Sequence, residues 1–87
     1  MELTQIADQL RSFIQERFGV SETDPDFSND VHLFDYGYVD SFGAVELNSF
    51  VEKTFAIKVT PSDLIAFPLN TIQEIAAFIA RRRIGEI

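Results

Sequence analysis

An all-α fold is what the sequence predicts: a four-helix bundle of three longer helices and one short third helix, with a long loop after helix 1. Three observations carry this. Apolar residues recur at three- and four-residue spacing over residues 2–18 and again from Ser41 to Phe55. Two helix-start signatures follow, Thr60-Pro61-Ser62-Asp63 and Thr71-Ile72-Gln73-Glu74. No run alternates long enough to require a sheet partner. With 87 residues the chain is expected to form one small domain, residues 1–87, with a single core, because a chain of this size buries only roughly 60 to 65% of its unfolded surface.

The first helix places Leu3, Ile6, Ala7, Leu10, Phe13, Ile14 and Phe18 on one side, opposite Gln5, Asp8, Gln9, Ser12 and Glu16. Gly19 supplies its C-terminal stop. From Val20 to Val39 there is no sustained periodicity, only turn-forming stretches around Asp24-Pro25-Asp26 and Ser28-Asn29-Asp30. Twenty residues is long for a loop in a small domain, so it is expected to be functional or to hold a helical turn of its own, with Phe27, Val31, Leu33, Phe34 and Val39 pinning it across the bundle. In the second helix Ala44, Leu47, Val51 and Phe55 fall within about 80° of one another on a helical wheel and form the core stripe. Ser41, Phe42, Val45, Ser49 and Glu52 fall outside it.

Ala56-Ile57-Lys58-Val59 reads as a short extended connector that turns Ile57 and Val59 inward. Thr60 is then the expected cap of the short helix, with Pro61 at its first position and Asp63 near the positive end of its dipole. Leu64, Ile65 and Phe67 follow, and Pro68 ends the element. The last helix opens with the Thr71–Glu74 capping box and carries Ile72, Ile75, Ala76 and Ile79 on one stripe. Arg81, Arg82 and Arg83 lie at its negative end, where each charge stabilises by about 0.3 to 1 kcal/mol.

Charge and composition exclude several functions. The net charge is −7, and from Phe18 to Glu52 eight carboxylates (Glu22, Asp24, Asp26, Asp30, Asp35, Asp40, Glu46, Glu52) occur with no Lys or Arg. Such a surface repels nucleic acid and anionic membranes and favours basic protein partners. The absence of Cys removes disulfides, thiolate metal ligands and a thiol nucleophile together. No stretch approaches the ~18 apolar residues of a membrane span, and the N-terminus has no signal-peptide pattern. A soluble, cytoplasmic monomer is expected.

Catalytic and metal-binding groups are sparse. His32 is the only His; it can act as a base toward Ser41 only if the long loop folds over the second helix. Asp24, Asp26, Ser28 and Asp35 stand at positions 1, 3, 5 and 12 of a calcium loop, but Asn29 replaces the required Gly and Asp35 the bidentate Glu. Neither a catalytic residue nor a metal ligand is assigned, and a small acidic interaction or calcium-binding module is the competing class.

Ser41 remains. Asp-Ser is a common helix start and can be purely structural. Here the hydroxyl lies between outward apolar residues, Phe42 and Val45, and an acidic rim of Asp35, Asp40, Glu46 and Glu52 with no base in the local sequence. A phosphate ester on Ser41 would gain from the helix dipole and lose to Asp40, which favours a group held outward in solvent.

These residues resemble the acyl carrier proteins. The run Leu33-Phe34 to Asp40-Ser41-Phe42 is similar to the family's attachment motif. The order Val45-Glu46-Leu47, Phe55, Ile57 and Val59, then Asn70-Thr71-Ile72-Gln73 extends the resemblance over nearly the whole chain. It implies a four-helix carrier with no catalysis of its own, modified on Ser41 with 4'-phosphopantetheine by a phosphopantetheinyl transferase. The arm's thiol would hold acyl or aminoacyl groups as thioesters for activating and processing enzymes. By the same resemblance, Asp40, Glu46 and Glu52 would meet basic docking patches and Phe42 and Val45 would form the apolar contact. Gly43 stands where fatty-acid carriers usually have an acid, Lys53 where they often have another, and Phe50 where a small residue is common. Asp40-Ser41-Phe42-Gly43 is closer to the Asp-Ser-Met-Gly of carriers for D-alanine and other aminoacyl groups, which implies a specialised lipid, polyketide, polysaccharide or secondary-metabolite pathway, with an aminoacyl carrier as the alternative.

Overall fold

The computed structural model describes residues 2–87 and contains four helices: α1 (Leu3–Phe18), α2 (Ser41–Phe55), α3 (Pro61–Ala66) and α4 (Ile72–Arg83). No strand occurs among the described residues, so the predicted all-α bundle of three longer helices and one short one is the observed fold. Each start is chemically marked. Glu2 opens α1 through a capping box with Gln5, so the helix begins one residue later than the periodicity suggests. Thr60 and Thr71 cap α3 and α4 by the same reciprocal device with Asp63 and Glu74, satisfying N–H groups that have no helical partner. Gly19 ends α1 in the left-handed conformation, as expected, at φ 69°. Ala56 ends α2 in that conformation too, at φ 56°, and no glycine announces it.

Ile6, Leu10 and Ile14 of α1 pack with Ile72, Ile75 and Ile79 of α4, and Leu47, Val51 and Phe55 close the core from α2. Four expected core positions differ. Leu3, in the first turn of α1, is exposed, Phe13 and Phe18 are half-buried, and Ala44 is half-buried at the lip of a cavity. Phe78, absent from the predicted stripe, is buried.

The long loop has turns but no helix of its own. It is held instead by a belt of hydrogen bonds. The Arg11 guanidinium donates to the Phe27 carbonyl at 2.7 Å and to Asn29 at 3.2 Å, and lies over the Phe27 ring. Leu33 N–H donates to the Asn70 carbonyl, and Gln73 N–H to that of Asn29. The loop is thereby tied to both α1 and the start of α4, which fixes the entry into α2.

Helix α3 stands apart, with no Cα within 8 Å of another helix's. What fastens it is a side chain from α4. Arg82 donates through both terminal nitrogens to the Asp63 carboxylate, at 2.7 and 3.1 Å, and also to the Lys58 carbonyl, with its guanidinium over the Phe78 ring. Its Nε is buried without a partner, so the terminal nitrogens make all of its hydrogen bonds. The arginine cluster therefore does more than complement the helix dipole: Arg83 also donates to the Phe55 carbonyl and Arg81 pairs with Glu86.

Hydrogen bonds from Arg82, then from the Thr60 backbone, hold the Asp63 carboxyl at about 2 instead of 3.8. Because the folded value is depressed, this stabilisation is fully present above 3.8 and is lost as pH falls through about 2. Asp63→Asn is expected to unfold at lower urea than wild type near neutral pH, with the gap narrowing across that acid window. A gap of constant width would show that the ion pair does not fasten α3.

Candidate functional site

Asp40 sets the site. Its backbone is extended, and its carboxylate accepts the Gly43 N–H at 2.7 Å, so α2 begins at Ser41. Ser41 is exposed, and among the described residues its hydroxyl makes no hydrogen bond. The cap is thus Asp40, and the Ser41 hydroxyl is left free of any structural task. Phe42 and Val45, at 83% and 68% exposure, flank it as the wheel predicts, and Ser49 is also exposed. Large apolar side chains left this open cost solvation and add nothing to the core.

The acidic rim differs from the expectation in two places. Glu46 is half-buried and pairs with Arg17 of α1, so a base does reach the site, from a part of the sequence too distant to be read locally. Glu52 is also half-buried, and its carboxylate accepts the Val59 N–H at 2.8 Å, which staples the α2–α3 connector to α2. Glu52 is therefore a fold-holding acceptor as well as a rim charge, whereas Asp40 and Asp35 stay exposed.

His32 does not approach Ser41. Its Nδ1 accepts the Asp35 N–H at 3.0 Å and its Nε2 lies 3.7 Å from the Asp35 carboxylate, so both nitrogens serve the loop turn. The calcium-loop residues are similarly occupied. Asp24 accepts the Asp26 N–H through one oxygen and the Tyr38 hydroxyl through the other; burial first, and that carboxylate second, raise the Tyr38 phenol above its ordinary pKa. No cluster of three or more His, Asp or Glu suited to a metal occurs among the described residues.

One turn along α2 from Ser41, Ala44 and Val45 enter the wall of a cavity of about 240 Å³ that runs between α2, α3 and α4. Phe34 of the loop, Val51 of α2, Leu64 of α3 and Phe78 of α4 contribute further to it. Leu64 was missed as a site residue, because a six-residue helix is too short for its periodicity to reveal which face is buried; it lines the cavity and is 57% exposed.

A family described as a phosphopantetheine attachment site matches residues 8–79. The chain belongs to that family. No curated protein matches it. Members of the family carry a 4'-phosphopantetheine prosthetic group and act as carriers, not catalysts, served by a phosphopantetheinyl transferase and by processing enzymes. No helix among the described residues is long and apolar enough to cross a membrane.

The site fits that group. A phosphodiester needs an accessible alcohol, and Ser41 offers one with no hydrogen bond to surrender. The N-terminus of the 15-residue α2 favours a negative charge there. The neighbouring Asp40 carboxylate, already committed to Gly43, would oppose the close approach of a phosphodiester to the cap.

Proposed function

We propose that Ser41 is the residue esterified with 4'-phosphopantetheine, and that residues 1–87 act as a single carrier-type domain, monomeric and cytoplasmic. When bound, the group supplies a terminal thiol on which an acyl or aminoacyl cargo is held as a thioester. The protein's own residues do the rest. Asp40 fixes the helix start so that the Ser41 hydroxyl is presented at one place. Phe42 and Val45 offer a small dry contact to a partner enzyme. Asp40, Glu46 and Glu52 attract its basic patch, giving an encounter that is fast, salt-sensitive and short-lived. Since the Arg17–Glu46 pair is solvent-exposed and therefore weak, an incoming basic side chain can displace Arg17 at little cost.

The observation that carries this reading is a free, exposed hydroxyl at the first position of α2 with an apolar cavity opening one turn away. The cavity favours an acyl cargo over an aminoacyl one, because its wall carries no charged side chain to pair with an ammonium and only one polar one, Asn48. The departures at Gly43, Phe50 and Lys53 support a specialised lipid, polyketide, polysaccharide or secondary-metabolite pathway over housekeeping fatty-acid synthesis. Intact mass after incubation with coenzyme A and a phosphopantetheinyl transferase tests the attachment. Wild type is expected to gain one phosphopantetheine and Ser41→Ala none. A gain that survives the substitution places the group elsewhere, and no gain in wild type rejects the reading.

A further inference from the structure

Ten of the eleven residues lining the α2–α3–α4 cavity are apolar or aromatic, and the exception is Asn48. It lies seven residues after Ser41, about 10 Å along the helix at 1.5 Å per residue, between the wall residues Ala44 and Val51. Folding does not account for it. Asn48 is in a helix interior, where asparagine is a poor helix former; it caps nothing, and its side chain makes no hydrogen bond to any described residue. It is half-buried, so its carboxamide keeps water only as long as the cavity mouth is open. A saturated chain lying over it would strip that water and return no hydrogen bond. A chain with an oxygen at the right depth would replace it.

We propose that Asn48 makes this cavity selective for acyl chains that bear a hydroxyl or keto oxygen, its carboxamide hydrogen-bonding that oxygen. The proposal rests on the reading of Ser41 as the attachment residue. The carboxamide suits both oxygen functions, since its NH₂ donates to a keto or hydroxyl oxygen and its carbonyl accepts from a hydroxyl. Leu64 of α3 forms one side of the cavity mouth and is 57% exposed.

The test loads the full chain at Ser41 with octanoyl phosphopantetheine, either unsubstituted or carrying one hydroxyl or keto group at successive carbons. Thioester cleavage by hydroxylamine is then followed, each rate normalised to the same acyl pantetheine free in solution. At one or more positions the oxygenated chain is expected to be protected about tenfold better than the unsubstituted chain, the discrimination that one unpaired buried amide supplies. Asn48→Leu is expected to abolish that preference and improve protection of the unsubstituted chain. Asn48→Ala, which adds no bulk, is expected to abolish the preference alone, with thermal unfolding showing both variants folded. Equal protection of all chains, or a preference that survives both substitutions, overturns the assignment of Asn48. Failure to load at Ser41, read by intact mass, overturns the attachment reading instead and removes the basis of this one.

Discussion

Phe55→Ala is expected to cost about 3 to 5 kcal/mol, the range for truncating a buried phenylalanine. A domain of this length has a total stability of roughly 4 to 13 kcal/mol, so the variant is expected to be close to unfolded at room temperature. The size of the effect comes from where the ring sits. Phe55 is 1% exposed at the last position of α2, with its ring edge-on to Phe50 at 6.2 Å and its carbonyl accepting from Arg83. Directly after it Ala56 adopts the left-handed conformation, which costs energy for any residue with a Cβ. The packed ring and the Arg83 hydrogen bond hold that strained exit, and the Val59 connector and α3 follow from it. Phe42→Ala removes the same side chain from the same helix, yet at 83% exposure it is expected to change stability by less than about 0.5 kcal/mol. Urea unfolding of the two variants, with unchanged slope in Phe42→Ala, checks both. Equal destabilisation would mean that Phe42 packs in solution and is not a docking residue.

The contrast between those two phenylalanines was legible from the wheel alone, because fifteen residues of α2 hold enough turns for a core stripe to separate from an outward face. The starts of α3 and α4 were legible for a local reason too: Thr60–Asp63 and Thr71–Glu74 close their capping boxes within three residues. What could not be read are features made by pairs far apart in the chain. Arg17 reaches Glu46 and Arg82 reaches Asp63, and a pattern at helical spacing carries no information about partners 19 or 29 residues away. The cavity is a further case. Its wall is drawn from the loop, α2, the connector, α3 and α4, so nothing in the helical pattern of α2 singles out Asn48 as a wall residue. The end of α2 at Phe55 was legible, but the left-handed turn of Ala56 was not, because alanine fills a position where glycine is the usual signal.

Gly43→Glu is the substitution where sequence and structure predict opposite signs. Gly43 is the third residue of α2. An acid there faces the positive end of the dipole and, with other things equal, stabilises by about 0.3 to 1 kcal/mol, while replacing a helical glycine adds roughly 1 kcal/mol more. The structure reverses this. Gly43 is buried, and a Cβ on it would meet Phe18 Cε1 at 2.8 Å and Val39 Cγ1 at 3.1 Å. Phe18 cannot simply swing aside, since its ring is edge-on to Phe13 at 5.9 Å, and Phe13 is stacked on Phe50 at 4.1 Å. Two of the three departures from the fatty-acid carrier pattern, Gly43 and Phe50, are thus ends of one aromatic row: the large residue on α2 sets Phe13, Phe13 sets Phe18, and Phe18 leaves room only for glycine. Overpacking of this kind costs typically 1 to 3 kcal/mol, and pressing a carboxylate against two apolar side chains adds to it. Gly43→Glu is therefore expected to lose at least about 1 kcal/mol in urea unfolding. Phe18→Ala introduced into that background is expected to cost less than Phe18→Ala in wild type, because it clears the space the new side chain needs. Strictly additive losses would show that the Phe18 ring is not what excludes a side chain at position 43.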